Sequence, residues 1–265
     1  MALSKRRRGA LIRYAQYVLI AAIVLVAVLF ADWKALLDSF FKWDLVVEQF
    51  PNVLTVALKN TVIYTALGFT FGLLLGLVLA LMRLSSVGPW RWLSTGVIEL
   101  FRGLPALVVF LMLGPGWSRA FPQLDIPFDN YGVATLALGL VGGAYMAETI
   151  RAGIQAVPKG QYEAARTLGM SHARAMTTVV IPQAFRIILP PLTNELILLT
   201  KDSSLIYLLG LSLDQYELTK WGREGMNSEA NLTPIVIVGL CYLLITIPLS
   251  MLVRRLEAKA GKARA

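Results

Sequence analysis

Residues 60–82 read NTVIYTALGFTFGLLLGLVLALM. No charge interrupts them between Lys59 and Arg83. A hydrocarbon core about 30 Å thick needs about 20 apolar residues in a helix to cross it. The stretch is long enough to span and carries no polar stripe for water. Gly68, Gly72 and Gly76 recur at every fourth position, with Leu75 and Leu79 at the same spacing. That repeat gives one smooth helix face for close packing, which is a structural signal.

Working outward, the same test gives five further spans. Residues 14–31 are uncharged and follow Lys5, Arg6, Arg7, Arg8 and Arg13. No small-x-small cleavage site follows, only Phe30-Ala31-Asp32-Trp33, so a retained helix is expected rather than a removed signal peptide. The others lie near 95–114, 130–150, 180–200 and 230–253. The fold class is therefore an all-α membrane protein with six transmembrane helices. Composition agrees. Of 265 residues, 57% are hydrophobic and only 15% charged, too little polar surface for a soluble domain. One cysteine, Cys241, and one histidine, His172, exclude a disulfide framework and argue against a metal site.

The net charge of +9 is unevenly placed. Alternate loops and both tails hold sixteen basic residues against Glu163 and Glu257, while the opposite loops hold seven basic and eleven acidic. By the positive-inside rule both termini are cytoplasmic, as an even number of spans requires. The surplus is a cytoplasmic collar, not a nucleic-acid surface. Segment 32–54 lies outward, with Trp33 and Trp43 as interfacial residues of a short helix. Trp90, Trp92 and Trp221 read as interface anchors too. Residues 115–130 form a turn-rich connector, and 201–229 a short helix plus loop.

The odd part is the cytoplasmic loop 151–181, RAGIQAVPKGQYEAARTLGMSHARAMTTVVI. Gln161–Leu168 favours helix, Gly169 stops or bends it, and Ser171 can cap a second short helix. Two short helices joined at a glycine make a knob. Small Ala164 and Ala165 let another surface approach. On pattern alone, a solvated connector fits equally well.

The spacing Glu163-Ala164-Ala165, Gly169, Val179-Val180-Ile181-Pro182 resembles the EAA loop of the membrane subunit of bacterial ABC importers. Val179 and Ile181 stand where that pattern has Ile and Leu. Residues 98–105 (IELFRGLP), 145–165 (YMAETIRAGIQAVPKGQYEAA) and 182–205 (PQAFRIILPPLTNELILLTKDSSL) are similar to the polar amino-acid permeases of the histidine/glutamine/glutamate type. The resemblance covers about 55–253. It implies a MetI-like permease core of five helices plus one N-terminal helix, flanked by basic tails 1–13 and 254–265.

What the resemblance implies is transport of polar amino acids across a bacterial plasma (inner) membrane, without catalysis. This chain would bind no cofactor; ATP and Mg would sit on a cytoplasmic ABC ATPase dimer. The absence of a GxxxxGK[ST] loop agrees. The coupling loop 158–182, with Glu163, Ala164, Ala165, Gly169 and His172, would enter a cleft of the ATPase. A second permease subunit, identical or homologous, and an extracytoplasmic substrate-binding protein complete the expected partners, beside membrane lipid.

Ionisable residues within spans usually face protein or a water path. Glu99 and Arg102 lie three apart on one helix face, as do Glu148 and Arg151. Both read as helix-anchoring ion pairs, with substrate contact as the alternative. Asn194, Glu195, Lys201 and Asp202 are candidates for the substrate pathway of a zwitterionic amino acid. Pro190-Pro191 is expected to break or kink the fifth helix beside that pathway. Cys241 reads as a packing residue. The competing readings are an ion-gradient secondary transporter, an importer of opine-like or organic amine compounds, and a membrane enzyme. The first would need inverted repeats, and the last clustered carboxylates or a nucleophile with a base.

Overall fold

The structure is a computed structural model describing residues 5–262. In chain order its helices are α1 (Lys5–Phe30), α2 (Trp33–Phe40), α3 (Trp43–Gln49), α4 (Lys59–Leu84), α5 (Gly88–Gly103), α6 (Ala106–Leu111), α7 (Trp117–Ala120), α8 (Asp129–Gln155), α9 (Lys159–Thr167), α10 (His172–Ala175), α11 (Ile181–Asp202), α12 (Leu218–Glu229) and α13 (Thr233–Lys262). π-helical turns lead into α4 (Val53–Leu58) and α11 (Met176–Val180) without a break. Among the described residues, five runs are long and apolar enough to cross a membrane: Leu11–Phe30, Val53–Leu84, Asp129–Gln155, His172–Leu209 and Thr233–Lys259.

The centre of the bundle is the α4–α8 pair, and the glycine repeat makes it. A Cβ on Gly72 would stand 3.2 Å from the Gly139 carbonyl oxygen and 3.2 Å from the Gly143 nitrogen. One on Gly76 would stand 2.9 Å from the Gly143 carbonyl oxygen. The two backbones touch, so α8 supplies its own glycines opposite those of α4. In lipid, apolar surface alone gives helices no reason to associate, and close van der Waals contact does that work. Tyr64, Leu138, Met146 and Leu199 complete the buried core around the pair.

The third expected span is not straight. α5 and the run Ala106–Ala120 are long and apolar enough to cross a membrane only when joined, and they are bent by 102°. Leu104, ahead of Pro105, is extended (φ −88°, ψ 136°). A residue before proline is pushed out of the helical region by the ring, which places the turn there. The fifth span differs in the opposite sense. Pro190 and Pro191 lie inside an uninterrupted α11, so the expected break is absent. The Thr193 hydroxyl donates to the Leu189 carbonyl (2.9 Å) in the turn that follows the prolines.

α1 runs alone, and none of its apolar window is buried. Segment 32–49 does more than rest at an interface. The Leu232 amide donates to the Ser39 carbonyl (2.9 Å), and Trp221 Nε1 to Gln49 Oε1 (2.5 Å). Trp221, half-buried, packs against a second core cluster that includes Val53, Leu218 and Ile237. Cys241 is buried in the same cluster, as its apolar setting led us to expect.

Candidate functional site

The knob forms as a pair of short helices. α9 ends at Gly169, whose φ of +83° only glycine adopts without strain. The Met170 amide donates back to the Ala165 carbonyl (3.2 Å) and closes the turn. Ser171 caps α10 by accepting from the Arg174 amide (3.3 Å). The Tyr162 hydroxyl and His172 Nδ1 are 2.8 Å apart, which ties the two helices together.

The knob's residues divide by face. Glu163, Ala164 and His172 are exposed, and no cation lies within ion-pair distance of Glu163 among the described residues. Ala165 turns inward and is 4% exposed, so of the two alanines only Ala164 offers a surface. Leu168, which sequence pattern did not single out, is 81% exposed beside Gly169. Its outward position follows from the left-handed turn that ends α9. A cleft of about 510 Å³ lined by Tyr162, Glu163, Met176 and Val180 runs along the base of the knob.

Both i,i+3 ion pairs form, each within its own helix, and a third residue joins them. Arg151 meets Glu148 through two of its nitrogens, and Arg102 lies 4.0 Å from Glu99. Arg83, at the end of α4, links them: its guanidinium is 2.9 Å from Glu148 and 3.7 Å from Glu99. Arg83 escaped the sequence reading because a basic residue at a span end reads as a boundary marker. The four α11 candidates are not drawn together. Glu195 and Asp202 are half-buried seven positions apart, while Asn194 and Lys201 are exposed. Among the described residues no hydrogen bond joins their side chains.

At the far end of the α4–α8 pair lies a polar cluster that the sequence reading missed. Asn60 Nδ2 donates to the carbonyls of Asp214 (2.7 Å) and Tyr216 (3.1 Å). The Leu218 amide donates to Thr61 Oγ (3.0 Å), and the Tyr64 hydroxyl to the Gln215 carbonyl (3.1 Å). Glu217 is fully buried and caps α12, accepting from the amides of Thr219 and Lys220, both at 2.6 Å. Burial raises its pKa to about 7, against those amide bonds, which favour the charged form.

Residues 72–262 match the profile of the binding-protein-dependent transport system inner membrane component. The chain belongs to that family. The L-cystine transport system permease protein TcyB of Bacillus subtilis is 41% identical over 64% of this chain and 70% of its own length. The glutamate/aspartate import permease protein GltK of Escherichia coli is 34% identical over 83% of this chain and 99% of its own. Among solved structures, an amino acid ABC transporter with histidines matches with a TM-score of 0.73 at 35% identity, over 82% of this chain and 98% of that one. Such relatives are permease subunits of amino-acid ABC importers, and membership makes this chain a multi-pass membrane permease component.

Proposed function

We propose that this chain is the translocation subunit of an importer of polar amino acids, with α9–α10 as the contact that receives motion from a separate ABC ATPase. Three features support the reading. The knob is an exposed two-helix unit whose turn depends on Gly169. It presents an acid without a cation partner, Glu163, and an apolar tip, Leu168. It also joins directly to α8 and, through Met176–Val180, to α11. A push on the knob would reach both helices. Basic residues at this end support a cytoplasmic knob with both termini on the same side. The chain itself hydrolyses nothing; ATP and Mg belong to the ATPase. A second permease subunit and an extracytoplasmic binding protein complete the assembly, and Glu195 and Asp202 line the substrate route.

The observation that carries the proposal is the knob's geometry at the base of the glycine-packed pair. The test is uptake of a labelled amino-acid panel into vesicles holding the purified chain, its ATPase and its binding protein. Uptake that needs ATP and survives collapse of ion gradients is expected. Uptake that follows an ion gradient without ATP would overturn the proposal.

A further inference from the structure

The basic end of the α4–α8 pair carries more positive charge than its ion pairs use. Glu148 and Glu99 serve three guanidinium groups, those of Arg83, Arg102 and Arg151. Arg91, in the first turn of α5, has no carboxylate within ion-pair distance among the described residues. α5 starts at Gly88 without a side-chain cap, so its positive helix end adds to the field there. Arg83, Arg91 and Arg151, with Trp92, Thr95 and Gln155, line an open cleft of about 610 Å³. Its walls are the last turns of α4 and α8 and the first turns of α5. Both α4 and α8 end a membrane-crossing run at this level, so the cleft lies where apolar spans give way to water.

The cleft also has an apolar border. Trp92, which lines it, is 70% exposed. Tryptophan at the end of a span sits at headgroup depth, with its ring against glycerol and upper acyl groups. A soluble anion would neutralise the arginines and leave this border in water. A lipid headgroup satisfies both: its phosphate meets the guanidinium groups while its glycerol and chains cover the Trp92 indole. We infer that this cleft binds the phosphate of an anionic phospholipid, with Arg91 as the principal contact and Arg83 and Arg151 behind it. The site would fasten the bent α5 to the α4–α8 pair at the membrane surface. It is separate from the knob and does not rest on the transport reading.

The test is native mass spectrometry of the full-length chain, purified in neutral detergent and incubated with phosphatidylglycerol or phosphatidylcholine. Wild type is expected to retain phosphatidylglycerol in preference to phosphatidylcholine. R91Q should retain it about fivefold less, the loss set by one surface charge, and Arg91→Lys should retain most of it. A melting temperature in phosphatidylcholine equal to wild type shows that R91Q is folded. Excess inorganic phosphate should leave the bound lipid in place. Equal retention by wild type and a folded R91Q would overturn the site. Displacement of the lipid by inorganic phosphate would overturn the lipid as its occupant.

Discussion

At one end of the α4–α8 pair, Arg83 bridges two carboxylates in a half-exposed ion network. At the other, Asn60, Thr61 and Tyr64 hold a loop through neutral hydrogen bonds to backbone groups, and Glu217 is sealed from solvent. The same two helices are thus fastened by charge at the basic end and by buried polar groups at the other. Ion pairs near water are weak, screened by salt and tolerant of rearrangement. Buried hydrogen bonds are costly to leave unmade. The end beside the knob is therefore built to shift, and the opposite end to hold.

The largest effect should come between the two ends. Gly76→Leu would drive a side chain into the Gly143 carbonyl and cost about 3 kcal/mol or more. Purified variant is expected to lose its cooperative melting transition in detergent, with both ends released together. A normal melt would show that the glycine face does not hold the pair. Next comes Asn60→Ala, which leaves the Asp214 and Tyr216 carbonyls without their donor. About 2–4 kcal/mol is expected from two unmade bonds. Proteolysis in the 210–218 loop should rise while cleavage at the knob stays unchanged.

Glu217 sharpens the contrast through pH. Its folded pKa of about 7 lies above the ordinary 4.5, so the protonated form favours folding. That contribution is complete below about pH 4.5 and is lost as pH rises through about 7. Wild type should lose melting temperature from about pH 5 to about pH 8 relative to Glu217→Gln. Parallel profiles for the two proteins would remove Glu217 as the cause. The smallest effect belongs to Arg83→Gln, about 1 kcal/mol, because Arg151 still meets Glu148. Raised salt should shrink the difference from wild type. A loss as large as that of Asn60→Ala would erase the distinction between the ends.

Periodic features were legible in the sequence. The four-residue glycine repeat announced a close-packed face on α4, though not its partner α8, and the three-residue spacing announced both ion pairs. Gly169 and Ser171 marked the knob because turns and caps are local chemistry. What could not be read were links across long separations. Arg83 meets Glu148 65 positions away, and Trp221 meets Gln49 172 positions away. Glu217 gave no signal because a glutamate before a helix is ordinary, and only tertiary burial makes it unusual. The prolines misled by number: the chain bends at the single Pro105, whereas the paired Pro190-Pro191 lie inside an unbroken α11. The residue before Pro105 was free to leave the helix, while α11 is held by packing on α8 and α13.

The central claim is that the knob carries motion between an ATPase and the shifting end of the bundle. The direct measurement is substrate-stimulated ATP hydrolysis by the assembled importer carrying Gly169→Val, whose side chain is strained at a φ of +83° by about 1–2 kcal/mol. Membrane insertion should match wild type and melting should fall only by that strain, since a Cβ at Gly169 meets nothing within 4 Å. The account predicts that stimulation by substrate is lost in this stable variant. Full stimulation in Gly169→Val, and likewise in Glu163→Arg, would contradict it.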